Sequence, residues 1–318
     1  GFVLMRTITV ALGEKTYNIE IAAGLLDQIG AKARVLSQAV KAAIISDSNV
    51  DPLYGERLER SLAASGFEGT RIDFAAGEQS KNLTVLGQVY DELARAGLTR
   101  SDLILTLGGG VPGDLGGFAA ATFLRGIDFI QVPTSLLAQI DSSVGGKVAI
   151  DLPSGKNLAG SFYQPKAVFI DPDLLKTLPL RFLHDGLAEA IKYGCIRDAG
   201  LFAQIAAVKS DQELLEQADI IIETCCNIKA RIVEKDEFDT GERMLLNFGH
   251  TIGHAIEKCC GFTTYTHGEG VGIGMVQMTR QTEKLGLTAA GTAEELSRVL
   301  KKFALPVSAV FDAQEILQ

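Results

Sequence analysis

The chain has 318 residues, 47% of them hydrophobic, and a formal net charge of −9, so it can bury a large core, and we expect two domains. The negative charge and the lack of a basic tract with interleaved aromatic residues argue against nucleic acid as a partner. Because no apolar run reaches membrane-spanning length and no signal-peptide pattern is present, we expect a cytoplasmic protein that does not bind membranes.

Short runs rich in β-branched residues alternate with helical patterns in the first half of the chain. The runs predict strands at residues 42–47, 70–74, 102–107, 128–133 and 167–171. Segments with apolar residues at helical spacing lie between them, for example at residues 52–66 and 82–97. This alternation predicts a mostly parallel sheet covered by helices on both faces. We therefore expect a Rossmann-like α/β domain over residues 5–171.

Strand patterns stop at about Pro172, and long helical patterns follow, such as residues 181–194 and 212–234. We expect a second, all-helical domain over residues 172–318, joined to the first by a tight hinge near residues 171–179. All five cysteines lie in this half, and none forms a C-x-x-C motif. That distribution is typical of reduced structural thiols.

A glycine-rich motif follows the predicted strand at residues 102–107. Gly108, Gly110 and Gly113 satisfy G-x-G-x-x-G between a strand and a helix, a context in which backbone N–H groups approach a pyrophosphate. The usual acidic residue at the end of the next strand is missing, because Asp128 precedes its strand, and Pro112 is foreign to the standard loop. A glycine turn that permits close packing of helix and strand is the alternative, and the motif alone leaves both open.

Two other strand ends favour a nucleotide. Asp47 ends a predicted strand, where a carboxylate can bind a ribose, and the segment GEQSK at residues 77–81 follows another strand. Nucleotides bind at the carboxyl ends of strands in sheets of this type. Both positions therefore support a dinucleotide site.

The segment at residues 133–165 contains two Gly-Lys turns, which present Lys147 and Lys156. Two lysines at glycine turns can converge on one phosphate or carboxylate. A solvated hairpin is the alternative, because lysine after glycine is common in surface turns. Three polar residues nearby favour the anion site: Asp141, Ser142 and Asn157.

The second half carries a candidate metal site. His250, His254 and His267 are three of only four histidines and lie within eighteen residues. A carboxylate and two imidazoles from separate helices, Glu189, His250 and His267, would suit a zinc-like ion with one open position. The alternatives are a surface ion pair between Glu189 and Lys192, and histidines that are satisfied within the core.

Several long motifs together resemble the 3-dehydroquinate synthase family, which supplies the second enzyme of the shikimate pathway. The resemblance covers nearly the whole chain after Arg6, and its motifs lie at residues 107–127, 133–162, 187–194, 227–233 and 243–257. Other sugar-phosphate cyclases and metal-dependent glycerol dehydrogenases share the scaffold. The run GKNLAGSFYQP at residues 155–165 resembles the dehydroquinate branch more than the other cyclases.

The resemblance implies a homodimeric lyase that uses NAD and one divalent metal, zinc or cobalt. Its substrate would be an anionic seven-carbon sugar-acid phosphate, 3-deoxy-arabino-heptulosonate 7-phosphate. Family enzymes oxidise the C5 alcohol with NAD, eliminate phosphate, return the hydride, open the ring and close a carbocycle by an aldol addition. The alternatives are another sugar-phosphate cyclase or a metal- and NAD-dependent polyol dehydrogenase.

The resemblance also implies roles for individual residues. The metal ligands would be Glu189, His250 and His267. The cofactor-binding residues would be Asp47, Asn49, Glu78, Lys81, Gly109, Gly110, Asp114, Thr134, Ser135, Lys156, Asn157 and Thr177. The substrate-binding and catalytic residues would be Arg125, Asp141, Lys147, Lys192, Lys229, Arg243, Asn247 and His254, with His254 serving proton transfer.

Two features depart from the family pattern. Asp239 stands where family members usually have glutamate, which shortens a carboxylate near the substrate by one methylene. The family's C-terminal lysine segment, which reaches the substrate phosphate, lies beyond Gln318. We therefore expect a C-terminally truncated chain with a weaker hold on the phosphate.

Overall fold

The computed structural model describes residues 4–310. Seven strands form one sheet in the order β1-β2-β9-β6-β5-β3-β4, in which only the β1–β2 pair is antiparallel, and two further strands form a hairpin. The strands are β1 (Arg6–Val10), β2 (Tyr17–Ile21), β3 (Lys41–Asp47), β4 (Glu68–Phe74), β5 (Leu103–Gly108), β6 (Asp128–Pro133), β7 (Lys147–Leu152), β8 (Gly155–Phe162) and β9 (Ala167–Ile170).

The helices fall into two groups along the chain. Four accompany the sheet, namely α1 (Ile29–Leu36), α2 (Glu56–Ala64), α3 (Leu83–Arg95) and α4 (Gly110–Thr122). The others follow β9, namely α5 (Leu180–Arg197), α6 (Ala199–Ala207), α7 (Asp211–Glu216), α8 (Ala218–Lys235), α9 (His250–Cys259), α10 (His267–Lys284) and α11 (Thr292–Lys302). The predicted fold class, an α/β half followed by a helical half, is confirmed.

Alternation along the central strands builds two of the hydrophobic cores. In β3, Ile44 packs with α1 and α2 on one face of the sheet, whereas Ile45 packs with α3 and α4 on the other. Successive side chains of a strand point to opposite faces, so a strand that is apolar throughout needs helices on both sides. The near-continuous apolar runs that predicted these strands are therefore explained by burial on both faces.

A third core joins the sheet to the helical half. Ile19 and Ile21 of β2 pack in one cluster with Leu187 and Ile191 of α5 and with Val233 of α8. All five side chains are essentially inaccessible to solvent. The two halves of the chain thus share one continuous apolar cluster.

The five strands that were predicted from β-branched runs are present as β3, β4, β5, β6 and β9. The antiparallel strands β1 and β2 and the second hairpin strand β8 were not predicted. No helix among residues 4–310 combines the length and the apolar character that crossing a bilayer requires. The last residues of the predicted second domain, 311–318, lie outside the described residues.

Candidate active site

The carboxyl edge of the sheet brings the predicted cofactor residues together. Gly108 at the end of β5 is in register with Pro133 at the end of β6, and the Thr134 N–H donates to the Gly108 carbonyl at 2.9 Å. On the neighbouring strand, Oδ1 of Asp47 accepts the N–H of Asn49 at 3.0 Å. Parallel strands end at one edge, which is where nucleotides bind in such sheets.

Helix α4 begins directly at this edge. Its N-cap is Gly109, which supplies no side-chain hydrogen bond, so the first-turn amides are open to a ligand and carry the positive end of the helix dipole. The packing interpretation of the glycine motif also holds further along, because a Cβ at Gly116 would lie 2.6 Å from Cγ2 of Thr106. Different glycines of this segment thus serve the helix start and the helix–strand contact.

Lys81 forms the centre of a charged cluster beside the helix start. Its buried Nζ lies 2.7 Å from Oδ1 of Asn157 and 3.1 Å from both Oδ2 of Asp114 and Oε1 of Glu78. Burial raises the pKa of Asp114 to about 6, although Lys81 acts in the opposite direction. Four of the predicted cofactor-binding residues are therefore in direct contact.

The three predicted metal ligands meet in the helical half. Oε1 of Glu189, a residue with no exposed surface, lies 3.0 Å from Nε2 of His250 and 2.7 Å from Nε2 of His267. The Lys192 ammonium contacts the other carboxylate oxygen and is also buried, so this pair is not the surface ion pair of the alternative interpretation. Burial alone would raise the pKa of Glu189, but Lys192 and both imidazoles hold it well below its ordinary value.

Close helix packing explains why the two histidines meet. His250 is the first residue of α9 and His267 is the first residue of α10. A Cβ on Gly253 would lie 2.9 Å from the carbonyl carbon of Gly270, and a Cβ on Gly274 would lie 2.1 Å from the carbonyl oxygen of Gly249. Only glycines permit the two helices to approach this closely, which places both imidazoles over Glu189.

The donor set of this cluster suits a divalent transition metal. One carboxylate oxygen and two imidazole nitrogens lie within 4.8 Å of one another. Three ligands of this kind, with a fourth position left open, are typical of catalytic zinc sites, and imidazole also suits cobalt. The residues present therefore fit the metal that the family resemblance implies.

Basic residues line the region between the two halves of the chain. Nζ of Lys229 lies 2.5 Å from Oδ1 of Asp141, which also accepts the Tyr193 hydroxyl at 3.2 Å. Arg243 is buried, and its Nε has no hydrogen-bond partner within the described part of the chain. Because a buried donor without a partner is unfavourable, this atom requires an explanation in the chemistry of the site.

The hairpin of β7 and β8 does not bring its two lysines together. At the open end of the hairpin, Lys147 pairs with Phe162 of β8 and contacts Asp239. Near the turn, Nζ of Lys156 lies 3.8 Å from Oε1 of Glu257. The prediction that both lysines converge on one anion is therefore wrong, because they lie at opposite ends of the hairpin. Asp239 has a φ of +57°, a conformation that aspartate adopts more readily than glutamate, which rationalises the shorter residue.

Three predicted residues have few contacts with the others. Arg125 is exposed, and within residues 4–310 it forms no hydrogen bond or ion pair. Asn247 is exposed at the end of a short helical turn that precedes α9. Thr177 contacts the hydroxyl of Tyr54 and donates to the carbonyl of Leu174 at 3.2 Å. The structure therefore does not place these three side chains in either cluster.

His254 lies beside the candidate metal ligands. Its ring centroid is 5.4 Å from that of His250 and 5.9 Å from that of His267, and the residue is exposed to solvent. One helical turn separates it from His250. His254 is thus positioned to contact a ligand that reaches the candidate metal site from solvent.

Sequence reasoning missed three polar residues that support these clusters. Asp185 accepts the N–H of Gly268 at the start of α10, Tyr193 donates to Asp141, and Glu257 lies between Lys156 and His267. Helical spacing was the available signal for two of them, because Asp185 precedes Glu189 by four residues and Glu257 follows His250 by seven.

Two family profiles match this chain. The profile described as 3-dehydroquinate synthase N-terminal matches residues 71–185, and the one described as 3-dehydroquinate synthase C-terminal matches residues 186–318. The chain belongs to the 3-dehydroquinate synthase family. The similarity that the motifs indicated is therefore confirmed at the level of the family.

Relatives of known name support the assignment to this family. The 3-dehydroquinate synthase of Clostridium acetobutylicum is 54% identical over 95% of this chain and 85% of its own length. The 3-dehydroquinate synthase of Enterococcus faecalis strain V583 is 50% identical over 95% of this chain and 84% of its own length.

Solved structures of related cyclases share the fold. A 2-deoxy-scyllo-inosose synthase, crystallised with carbaglucose-6-phosphate, NAD+ and Co2+, is 26% identical with a TM-score of 0.89 over 98% of this chain and 85% of that chain. The 2-epi-5-epi-valiolone synthase of Streptomyces hygroscopicus, with NAD+ and Zn2+ bound, is 27% identical with a TM-score of 0.86 over 96% of this chain and 86% of that chain. A probable glycerol dehydrogenase from Sinorhizobium meliloti, 17% identical with a TM-score of 0.61 over 92% of this chain and 82% of that chain, shares the fold.

Proposed function

We propose that this chain converts 3-deoxy-arabino-heptulosonate 7-phosphate to 3-dehydroquinate and phosphate, as a carbon–oxygen lyase. The observation that carries the proposal is the convergence of Glu189, His250 and His267, adjoined by the buried ammonium of Lys192. The identity of 54% to a named 3-dehydroquinate synthase favours this activity over that of the cyclases at 26–27% identity.

Both implied cofactors have suitable residues. We propose that the carboxyl edge of the sheet and the open start of α4 bind NAD, and that Glu189, His250 and His267 bind zinc or cobalt. When bound, NAD exchanges a hydride with the substrate, and the metal acts as a Lewis acid toward the substrate hydroxyl and ketone. Lys81 adds three further predicted cofactor residues to this site, because it contacts Glu78, Asp114 and Asn157.

The basic residues would bind the two anionic groups of the substrate. Lys147, Lys192, Lys229 and Arg243 supply charged donors in a protein whose net charge is −9. Asp141 holds the Lys229 ammonium in place by a contact of 2.5 Å. A pre-positioned cation of this kind binds an anion without first losing side-chain freedom.

His254 would move the proton. It is exposed next to the metal cluster, where an imidazole can accept a proton from a bound substrate and return it. Asn247, a few residues before it in the chain, would donate a hydrogen bond to the same ligand. Arg125 would contact the substrate from an exposed position, as the family resemblance implies.

The competing functions differ in what they consume and release. We expect phosphate release from the seven-carbon acid phosphate without net NADH, and none from glucose 6-phosphate, which lacks the carboxylate. A preference for glucose 6-phosphate would indicate another cyclase activity. Stoichiometric NADH from glycerol would indicate a polyol dehydrogenase, and either result would replace the proposed function.

We also propose a homodimer in the cytoplasm, with a domain boundary near residues 171–179. Cys195, Cys225, Cys226 and Cys260 are free thiols, which is usual for a reducing compartment. Light scattering after size-exclusion chromatography would test the dimer, since a mass near 33.9 kDa would instead indicate a monomer. Limited proteolysis would test the boundary, because an exposed linker there would be cut first.

A further inference from the structure

Helix α9 carries a third polar residue on the face that bears its two histidines. His250, His254 and Glu257 are spaced at i, i+4 and i+7, so all three point to one side of the helix. Glu257 is only 6% exposed. Burial of an ionised carboxylate is costly unless partners compensate for the lost water, so the contacts of this residue need an explanation.

The two oxygens of Glu257 face two different partners. Oε2 lies 3.7 Å from Nδ1 of His267, and Oε1 lies 3.8 Å from Nζ of Lys156. Both separations are ion-pair contacts and are longer than hydrogen bonds. Electrostatic attraction at this range acts strongly in a buried site. The carboxylate therefore attracts both the Nδ1 side of His267 and the ammonium of Lys156.

His267 presents its two nitrogens to two different carboxylates. Nε2 lies 2.7 Å from Oε1 of Glu189, whereas Nδ1 faces Glu257. A metal needs an unprotonated nitrogen, and the other ring nitrogen then carries the proton and needs an acceptor. Glu257 lies on the side of the ring where that acceptor is required.

We propose that Glu257 is a positioning residue for His267: its carboxylate holds the proton on Nδ1 and directs Nε2 toward Glu189 and the metal. The inference rests on the metal site of the proposed function. Through its other oxygen, Glu257 also holds Lys156, whose neighbour Asn157 contacts Lys81 in the cofactor cluster. The carboxylate of Glu257 thereby links the candidate metal ligands to the group of residues around Lys81.

A second metal ion is the competing explanation, because donor atoms of His254, Glu257 and His267 also lie within 4.8 Å of one another. The Lys156 ammonium, 3.8 Å from Glu257, already supplies a positive charge next to this group. A divalent ion there would be repelled by that charge. We therefore favour the positioning role, and the metal stoichiometry distinguishes the two.

The test compares Glu257→Gln, which keeps the shape and removes the charge, with Glu294→Gln, an exposed carboxylate on α11. Cobalt affinity is measured by competition with a chromophoric chelator, together with the visible spectrum of bound cobalt. We expect Glu257→Gln to weaken cobalt binding about 10–100-fold and to change the spectrum, with one ion per chain retained. Glu294→Gln should leave affinity and spectrum unchanged.

Equal cobalt affinity and spectrum in the wild type and Glu257→Gln would overturn the proposal, as would two ions in the wild type and one in the variant. If the wild type itself binds no ion, the metal site of the proposed function fails instead. If Glu257→Gln does not fold, a measurement on the wild type still tests the proposal. Nitrogen-15 NMR of the zinc-loaded protein should show His267 protonated at Nδ1, and zinc coordination through Nδ1 would contradict the assignment.

Discussion

Asp141→Asn removes one charge of a largely buried ion pair and keeps the shape of the side chain. In the wild type, Oδ1 of Asp141 lies 2.5 Å from Nζ of Lys229 and accepts the Tyr193 hydroxyl. Burial raises the pKa of Asp141, but Lys229 and Lys192 together outweigh it and lower the pKa to about 2. The substitution leaves the Lys229 ammonium buried without its counter-charge.

Two approaches give the size of the effect. The decrease in the pKa of Asp141 from 3.8 to about 2 corresponds to about 2 kcal/mol of the free energy of unfolding. Because the folded pKa lies below the unfolded one, this contribution is present above pH 3.8 and is lost as the pH falls toward 2. Removal of one partner of a buried pair generally costs roughly 3–5 kcal/mol. We therefore expect Asp141→Asn to lose about 2–5 kcal/mol at neutral pH.

The assay is urea unfolding of the purified variants, followed by circular dichroism at pH 7. Asp128→Asn is the matched control, because its ion pair with Lys166, at 3.6 Å, is half exposed and should contribute less than about 1 kcal/mol. Burial lowers the pKa of Lys229 below 10.5, and Asp141 opposes this decrease. Without Asp141, Lys229 loses its proton at a lower pH in the folded state, which removes the cost of an unpaired buried charge. The loss of stability in Asp141→Asn should therefore shrink as the pH rises toward 10.5. A loss no larger than that of the control, or a deficit independent of pH, would refute the reasoning.

Three further substitutions test the site. His250→Ala should lower zinc affinity by more than about 100-fold with the fold intact, and full zinc content by elemental analysis would contradict the ligand assignment. His254→Ala should keep the metal but lower kcat about 10²–10⁴-fold, so unchanged turnover in a phosphate-release assay would exclude its proton-transfer role. Lys81→Met should weaken NAD binding about 10–100-fold in calorimetric titrations, and unchanged affinity would place the cofactor elsewhere.

The central strands could be predicted from the sequence because they are buried on both faces and therefore read as continuous apolar runs. β1, β2 and β8 were missed for a physical reason. They are short or partly exposed strands in antiparallel pairs, and half or more of the residues in β1 and β8 face solvent at least in part. Their apolar signal is correspondingly weaker.

The candidate metal ligands could be predicted because histidine is rare in this chain and three of the four lie within eighteen residues. The supporting residues could not be predicted in the same way. Glu257 and Asp185 are ordinary helical carboxylates in the sequence, and only the packing of α9 and α5 against α10 shows that they are buried. Helical spacing places them on the faces that carry Glu189 and His250, but it does not show which residues of other helices they contact. Their identification required the tertiary structure.

The most direct test of the central claim is a continuous assay of phosphate release from 3-deoxy-arabino-heptulosonate 7-phosphate, with NADH absorbance followed in the same sample. We predict many phosphates released per NAD without net NADH, loss of release after chelation, and recovery on addition of zinc or cobalt. NADH that accumulates in proportion to the phosphate would contradict the catalytic use of NAD. Phosphate release that persists after complete removal of metal would contradict the role of Glu189, His250 and His267.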